Sequence, residues 1–255
     1  MKIHVNCDRP DRHVSYWVIE ALKKKGLYTE NPNAEIIWNV DSIYNNQIKR
    51  GTKLTIYWEL DDFLNPGHNP HFYNVDLLYI NSPDYINYYP KGTKILRVAA
   101  NPDFHKELPI EKICDYIFVG SIEPLPVYWE RIGILDRLLR SGANMFITFG
   151  VQANYPELMS KGRVILNILP KTNGRVCVNQ RFYEAMATGC LMVDHHPMMD
   201  EIATKGVHYL TFDDFGTINP ERIDKIKKAS RELIVSKHTW AHRIDQVVKD
   251  IQEKL

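Results

Sequence analysis

The stretch VNQRFYEAMATGCLMVDHHP, residues 178–197, contains the helix-to-strand transition that decides the fold. A short helix-like run ends at Gly189, and the apolar, strand-like run 190–193 follows at once. A helix that stops at glycine and leads directly into a short apolar strand is typical of a buried α/β unit. Arg181 and Glu184 are charged residues within that unit, which makes this stretch a candidate for function as well as for fold.

The rest of the chain repeats the same alternation. Apolar runs predict strands at 2–7, 34–40, 53–60, 75–82, 94–100, 114–121, 144–150, 163–169 and 208–213. Helical periodicity predicts helices at about 15–25, 129–140, 220–234 and 240–253. Alternating strands and helices predict parallel sheets that are covered on both faces, so the expected fold class is α/β.

The segment 101–112 is polar, contains two prolines and has no clear periodicity, so we expect it to link two halves. Residues 1–105 are predicted to form an N-terminal Rossmann-like domain and residues 106–238 a second one. Residues 239–255 are predicted to form a helix that packs back toward the first domain. The two domains are expected to face each other across a cleft, with ligands at the carboxyl ends of the strands.

The composition argues against several classes of protein. With a net charge of +1 the chain has no global basic field, so sequence-independent binding of nucleic acid is not expected. The 4 cysteines contain no CxxC pair and predict reduced thiols rather than disulfides or zinc ligands. No run approaches the ~18 apolar residues of a membrane span, and the N-terminal MKIHVNCDRP lacks the apolar core of a signal peptide. We therefore expect a soluble cytoplasmic protein.

The run FVGS, residues 118–121, is the first candidate for an anion site. Gly120 and Ser121 end a predicted strand, where backbone amides can approach a phosphate closely. A single glycine after a strand is equally compatible with an ordinary turn. The run lacks the GxGxxG spacing of dinucleotide-binding proteins and the GK[ST] of a P-loop, which disfavours dehydrogenases and ATPases.

The start of the helix in the opening stretch is the second candidate. Asn179 is expected to begin this helix. The amides of Gln180, Arg181 and Phe182 then point out of the sheet, toward an anion such as a diphosphate. Arg181 can add charge-assisted hydrogen bonds, and Glu184 can accept two hydrogen bonds from a vicinal diol such as a ribose. The residues alone leave a second interpretation open, in which Glu184 merely favours the helix N-terminus and Arg181 is a surface charge.

The order of these motifs resembles the C-terminal half of the GT-B glycosyltransferases. FVGS is followed by Arg131 in the next helix, then by ITFG, VILN, NQRFYEAMATGCLMVD and finally HTWAHR. The likeness is greatest to the CgeB/YkvP-like group of the glycosyl transferases group 1. That group shows a similar Asn-x-Arg-x-x-Glu-Ala run and a late aromatic-x-x-Arg ending, as at Trp240 and Arg243. The resemblance covers about residues 75–250.

This resemblance implies a GT-B fold whose second half binds a nucleoside-diphosphate sugar, UDP-linked by family habit, without a metal ion. Carried over by position, Gly120 and Ser121 line the diphosphate. Arg131 or Arg181 neutralises the diphosphate, and Glu184 binds the ribose hydroxyls. The donor is then a co-substrate, and no further cofactor is expected.

The first half is expected to supply a catalytic base. Asp11 and His13 follow the first predicted strand and Asp62 follows the third, so we expect one of these three to accept the proton of the acceptor hydroxyl. Alternatively, both loops are ordinary polar turns. Asp61 and Asp62 would also suit the metal-binding acidic pair of GT-A transferases, which the second series of strands and helices disfavours. Val176 stands where many retaining relatives carry a second glutamate, so the stereochemical outcome stays open.

The expected function is transfer of a sugar, a hexose by expectation, from a nucleoside-diphosphate sugar to an acceptor hydroxyl. The sequence leaves the class of acceptor open among a small molecule, a glycan, a protein and modified DNA. Two alternatives stay open. One is a phage-type DNA glycosyltransferase that acts on a hydroxylated base through a basic rim of Arg and Lys at 9, 12, 23–25, 49, 50 and 53. The other is a catalytically inactive, sugar-nucleotide-binding structural module.

Overall fold

The protein consists of two compact units. The computed structural model describes residues 1–7, 13–40, 48–60, 74–148, 155–169, 171–172, 175–176, 178–193, 197–214 and 219–255. The first unit contains Met1–Val98 together with Trp240–Leu255, and the second contains Ala99–Thr239. Each unit has its own parallel sheet, which confirms the predicted α/β class.

The first unit is built on a five-stranded sheet in the order β1-β2-β3-β4-β5, with every neighbouring pair parallel. Its strands are β1 (Ile3–Asn6), β2 (Ile36–Val40), β3 (Leu54–Glu59), β4 (Leu77–Ile80) and β5 (Lys94–Ile95). Every residue of β2 and β4 is buried, as expected for strands covered on both faces. Helix α1 (His13–Lys24) follows β1, and Gly26, at a φ of 66°, allows the chain to turn back after it.

The last helix of the chain belongs to this first unit. Its apolar residues repeat along one face and are buried, and they are Trp240, Ile244, Val247 and Ile251. The buried Arg243 on this helix donates to the carbonyl oxygen of Arg97 at 2.7 Å and to that of Val98 at 3.3 Å. Both acceptors lie at the end of the segment Met1–Val98, so the helix is fixed to the rest of the first unit by hydrogen bonds as well as by apolar packing.

The second unit has a five-stranded parallel sheet in the order β12-β11-β8-β6-β7. Its strands are β6 (Cys114–Val119), β7 (Met145–Thr148), β8 (Gly162–Asn167), β11 (Cys190–Val193) and β12 (Leu210–Thr211), and a separate antiparallel pair joins β9 (Lys171–Thr172) to β10 (Arg175–Val176). The helices of the second unit are α2 (Trp129–Arg140), α3 (Tyr155–Ser160), α4 (Gln180–Thr188), α5 (Pro197–Ile202) and α6 (Pro220–Lys237). The last helix, α7 (Trp240–Lys254), belongs to the first unit, as described above. Three short 3₁₀ helices lie at Pro83–Tyr88, Pro126–Tyr128 and Phe212–Asp214.

The strand order of the second unit determines where a ligand can bind. After β6 the chain adds β7 on one side and then returns to place β8 on the other side of β6. Loops that leave adjacent strands in opposite directions open a crevice at the carboxyl edge of such a sheet. Gly120 and Asn167 lie at this edge, at the ends of β6 and β8.

The predicted strands and the observed strands differ at the sheet margins. The strands predicted at 94–100 and 208–213 shorten to Lys94–Ile95 and Leu210–Thr211. Both are edge strands, which have a hydrogen-bonding neighbour on one side only, so their ladders end sooner than the apolar runs do. Helices α3 and α5, of six residues each, are too short to show a helical period in sequence.

The structure groups residues 99–105 with the second unit, whereas the sequence placed them in the first. The reason lies in their hydrogen bonds. The amide of Ala100 donates to the carbonyl oxygen of His238 at 3.2 Å, and Arg231 donates to the carbonyl oxygen of Pro102 at 3.0 Å.

No helix within the described residues is long and apolar enough to cross a membrane.

A buried polar contact is expected to stabilise the packing of α7 on the first unit. Tyr79 donates its hydroxyl proton to Asp250 at 2.6 Å, and Lys94 contacts the other oxygen of the same carboxylate at 2.5 Å. We expect Tyr79→Phe to lower the free energy of unfolding by about 1.5–3 kcal/mol, because a hydrogen bond to a buried carboxylate is lost. Urea denaturation followed by tryptophan fluorescence measures this change, since Trp129 is the only one of the 5 tryptophans outside the first unit. Tyr16→Phe, at an exposed tyrosine of α1, is the matched control. An equal effect of the two substitutions would contradict the prediction.

Candidate functional site

Gly120 directly follows β6 at the carboxyl edge of the second sheet. Its amide donates to the carbonyl oxygen of Thr148 at 2.9 Å, which continues the β6–β7 ladder by one residue. A Cβ at this position would lie 2.8 Å from ring atom Cζ of Phe118 and 3.3 Å from a terminal nitrogen of Arg181. Glycine is therefore required here because a buried ring and a guanidinium both lie against the backbone.

Arg181 approaches Gly120 from the first turn of α4. It is half-buried, and its Nε donates to the hydroxyl oxygen of Tyr155 at 2.8 Å. Burial raises the pKa of Tyr155 well above its ordinary value, so this hydroxyl stays protonated. The contact fixes one side of the guanidinium, while a terminal nitrogen remains beside the Gly120 backbone.

Arg131 supplies a second positive charge at the same edge. Its side chain is buried on α2, where Nε donates to the carbonyl oxygen of Ile168 at 2.9 Å and Nη1 to that of Ser121 at 2.7 Å. The guanidinium also lies 4.8 Å from the ring centroid of Tyr128. Burial, helped by repulsion from Arg181, lowers the pKa of Arg131 to about 10. Within the described part of the chain, no carboxylate forms a salt bridge with either arginine.

Asn179 caps the N-terminus of α4, as predicted from the sequence. It has extended backbone angles (φ −80°, ψ 167°), and its side-chain oxygen accepts a hydrogen bond from the amide of Phe182 at 3.1 Å. The amide of Phe182 is thus used by the cap, and its side chain is fully buried. Helix geometry leaves the amides of Gln180 and Arg181 without an acceptor inside the helix, so they keep the partial positive charge of this helix end.

Glu184 lies one turn further along α4 and is buried. Its Oε1 is 3.2 Å from Nε2 of His105 and accepts a hydrogen bond from Nε2 of Gln180 at 2.6 Å. Burial alone would raise the pKa of Glu184, but the hydrogen bond from His105, the electrostatic interactions with His105 and Arg181, and the hydrogen bond from Gln180 outweigh it. The pKa therefore falls below its ordinary value of 4.5. The site thus combines a buried, ionised carboxylate with two guanidinium groups.

The structure brings together most of the predicted donor-site residues. The main chain of Gly120 and Ser121 and the side chains of Arg131, Arg181 and Glu184 all lie in the second unit, and contacts or charge interactions connect them. Asn179 and Phe182 contribute the helix cap. Among the residues predicted for the first half, Asp11 and Asp62 lie outside the described residues. His13 begins α1, but its side chain is not among those described.

His105 and Tyr155 were not predicted from the sequence, and Gln180 was predicted to contribute its backbone amide only, not its side chain. The spacing of Gln180 and Glu184, four apart on one helix, is a usable signal for a side-chain hydrogen bond. His105 and Tyr155 reach the site from distant parts of the chain, so no local pattern indicates them.

A cavity of about 490 Å³ lies at the other end of α4, beside Thr188, and its Lys227 is paired with Glu107. It is therefore separate from the Arg181 end of the helix.

Comparison with known proteins supports a specific family. Residues 118–249 match the family model described as glycosyl transferase-like. No curated protein matches the sequence. Among solved structures, the Anabaena protein HepE in complex with UDP and glucose is similar, with a TM-score of 0.66 and 10% identity over 98% of this chain and 99% of that chain. Sucrose-phosphate synthase from Thermosynechococcus elongatus is similar with a TM-score of 0.54 and 11% identity, over 86% of this chain and 68% of that chain. A glycosyltransferase from Rickettsia africae is similar with a TM-score of 0.53 and 12% identity, over 99% of this chain and 97% of that chain. These likenesses show that the fold is of the GT-B type.

The close approach at Gly120 generates a stability prediction. Gly120→Ala is expected to lower the free energy of unfolding by about 1–3 kcal/mol, because the added methyl group overpacks against the buried Phe118 ring. Gly133→Ala, inside α2, has its nearest neighbour at 3.8 Å and is expected to raise stability by about 0.5–1 kcal/mol. Thermal unfolding of both variants followed by circular dichroism measures the two effects. A Gly120→Ala protein as stable as Gly133→Ala would contradict the geometry.

The lowered pKa of Glu184 predicts a pH dependence. Because the pKa is lower in the folded protein than in the unfolded chain, the carboxylate stabilises the fold above about pH 4.5, and this contribution is lost as the pH falls through the folded-state pKa. The difference in unfolding free energy between the wild type and Glu184→Gln should therefore be constant near neutral pH and shrink in acid. Glu111→Gln, at an exposed glutamate of the same unit, should show no such trend. A difference for Glu184→Gln that stays constant down to pH 3 would refute this account.

Proposed function

The chain belongs to the glycosyl transferase-like family, and we propose that it moves a hexose from a UDP-sugar to an acceptor hydroxyl without a metal ion. A glycosyltransferase of the GT-B type follows from the family and the fold. The nucleotide, the sugar, the independence from metal and the CgeB/YkvP-like group belong to the proposal. A cytoplasmic location stays a prediction.

The observation that carries the proposal is the pair of guanidinium groups at the carboxyl edge of the second sheet. Arg131 is buried, and burial together with the charge of Arg181 lowers its pKa, so the two guanidinium groups repel each other. A diphosphate would relieve this repulsion and accept bidentate, charge-assisted hydrogen bonds. The amides at the N-terminus of α4 add donors of the kind that bind phosphate oxygens. Gly120 lets the Arg181 guanidinium lie against the main chain at this edge.

Glu184 supports a nucleoside rather than an isolated diphosphate. It is ionised and buried, and its Oε1 already accepts from Gln180 and contacts His105. Its other oxygen can accept hydrogen bonds from the two hydroxyl groups of a ribose. Arg181 and the amides at the start of α4, together with Arg131 of α2, supply positive charge for a diphosphate, and Glu184 of α4 supplies an acceptor for a vicinal diol. These two parts match the two halves of a nucleoside diphosphate.

The similar Anabaena protein holds UDP and glucose in its crystal structure, which supports UDP and a hexose as the first donor to test. Metal independence rests on the two arginines, whose positive charge can take the place of a divalent cation in balancing the diphosphate. For the acceptor reaction, the sequence-based candidates Asp11, His13 and Asp62 stay proposals, as does the class of acceptor.

The alternative of a DNA acceptor has less support. Three lysines of the basic rim that it requires are paired with acids in the first unit, Lys23 with Glu20, Lys25 with Asp245 and Lys53 with Glu35. Their charge is therefore largely balanced within the protein. Tight UDP-sugar binding with neither transfer nor hydrolysis would instead favour the inactive binding module.

Substitution of Arg181 tests the donor site. We expect Arg181→Met to weaken UDP binding at least tenfold and to leave uridine binding nearly unchanged, because only the diphosphate loses a charged partner. Isothermal titration calorimetry with UDP and with uridine measures the two affinities. Arg163→Met, on β8 of the same unit and paired with Asp115, should leave UDP affinity unchanged. An equal loss for uridine and UDP, or no loss for either, would contradict the assignment of Arg181 to the diphosphate.

Removal of divalent ions tests the proposed metal independence. With EDTA in excess, the wild-type protein should bind UDP with the same affinity as in buffer containing Mg²⁺ or Mn²⁺, because arginines balance the charge. The same titration should show UDP binding more tightly than ADP or GDP, because uracil is the base of the proposed donor. Affinity that disappears in EDTA and returns with Mn²⁺ would overturn this part of the proposal.

A further inference from the structure

We propose that His105 is a positioning residue of the donor site, which orients Glu184 so that one carboxylate oxygen faces the ribose of a bound nucleotide. The proposal rests on the proposed function, because it takes the ribose hydroxyls as the ligand of Glu184. Because only 1% of His105 is exposed, it is placed to act through Glu184 rather than by direct contact with the nucleotide. It lies in the segment that begins the second unit, far from α4 in sequence.

The proton on the imidazole is placed by a hydrogen bond on the far side of the ring. The amide of Asn101 donates to Nδ1 of His105 at 3.1 Å, so Nδ1 acts as an acceptor and carries no proton. The proton of the neutral ring must then be on Nε2, which lies 3.2 Å from Oε1 of Glu184. His105 therefore donates to the carboxylate without needing to be charged.

Two donors converge on the same oxygen of Glu184. Nε2 of Gln180 donates to Oε1 at 2.6 Å, and Nε2 of His105 donates to it as well. With two hydrogen bonds on Oε1, the orientation of the carboxylate plane is fixed and Oε2 is directed elsewhere. Gln180 lies on α4 like Glu184 itself, so His105 is the donor that holds the carboxylate from outside the helix.

The main chain around His105 is held firmly enough to act as a fixed support. The amide of His105 donates to the carbonyl oxygen of Asn101 at 2.7 Å, which closes a tight turn. Arg231 on α6 donates to the carbonyl oxygens of His105 and Pro102, each at 3.0 Å, and to that of Ala187 at 2.7 Å. The turn is thus connected to α4 twice, through Ala187 at the C-terminal end of the helix and through Glu184 nearer its start. Only 1% of His105 is exposed, so water does not compete for the ring.

Two substitutions separate the roles of the two ring nitrogens of His105. In His105→Asn, the side-chain oxygen can replace Nδ1 as acceptor for the Asn101 amide, but no donor reaches Glu184. In His105→Gln, the side-chain nitrogen can replace Nε2 and donate to Glu184. The ligands are UDP and 2′,3′-dideoxyuridine diphosphate, which lacks both ribose hydroxyls. Calorimetric titration of each protein with each ligand gives six affinities.

We expect His105→Asn to bind UDP about tenfold more weakly than the wild type, and the dideoxy nucleotide with unchanged affinity. His105→Gln should keep most of the affinity for UDP and the wild-type ratio between the two ligands. A His105→Asn protein with wild-type affinity for UDP would overturn the proposal, and so would an equal loss for both ligands, which would indicate a purely structural role. If His105→Asn does not fold, His105→Gln alone tests the proposal. In that variant, equal affinities for UDP and the dideoxy nucleotide would contradict the proposal. A wild-type protein that binds no nucleotide would instead overturn the proposed function.

Discussion

Two guanidinium groups, those of Arg131 and Arg181, which form no salt bridge within the described residues, are the constraint on which the site of the second unit depends. Arg131 is buried, its hydrogen bonds go to the carbonyl oxygens of Ser121 and Ile168, and burial and Arg181 together lower its pKa to about 10. Arg181 is fixed by the neutral hydroxyl of Tyr155. Carbonyls and a phenol orient guanidinium groups but leave their charge in place, so the site is prepared for an anion.

The fold explains why these groups meet. Parallel strands bring the ends of β6 and β8 to one edge, and the reversal of strand order beside β6 opens a crevice there. Gly120 allows the guanidinium of Arg181 to reach the main chain, and the Asn179 cap starts α4 at the same edge with its amides directed outward. Glu184 follows one turn later. A single helix start thus presents cationic donors and an ionised acceptor, the combination that a nucleoside diphosphate requires.

The sequence predicted those parts of the fold and the site that depend on local pattern. The fully buried strands β2 and β4, the helix α4 with its cap, and the one-sided apolar face of α7 all follow from periodicity and capping residues. The pairing of His105 with Glu184 depends on a turn that Arg231 holds from another helix, and no spacing rule predicts such a contact. The margins of the sheets depend on which strands have two neighbours, which only the assembled sheet determines.

A crystal structure of the protein with UDP would show directly whether the two arginines and Glu184 bind a nucleotide. We expect the diphosphate oxygens to contact the guanidinium groups of Arg131 and Arg181 beside Gly120. We also expect both ribose hydroxyls to lie within hydrogen-bonding distance of Glu184, with His105 still on the other carboxylate oxygen. A nucleotide bound elsewhere in the second unit, or one whose ribose points away from Glu184, would show that these residues do not form the donor site.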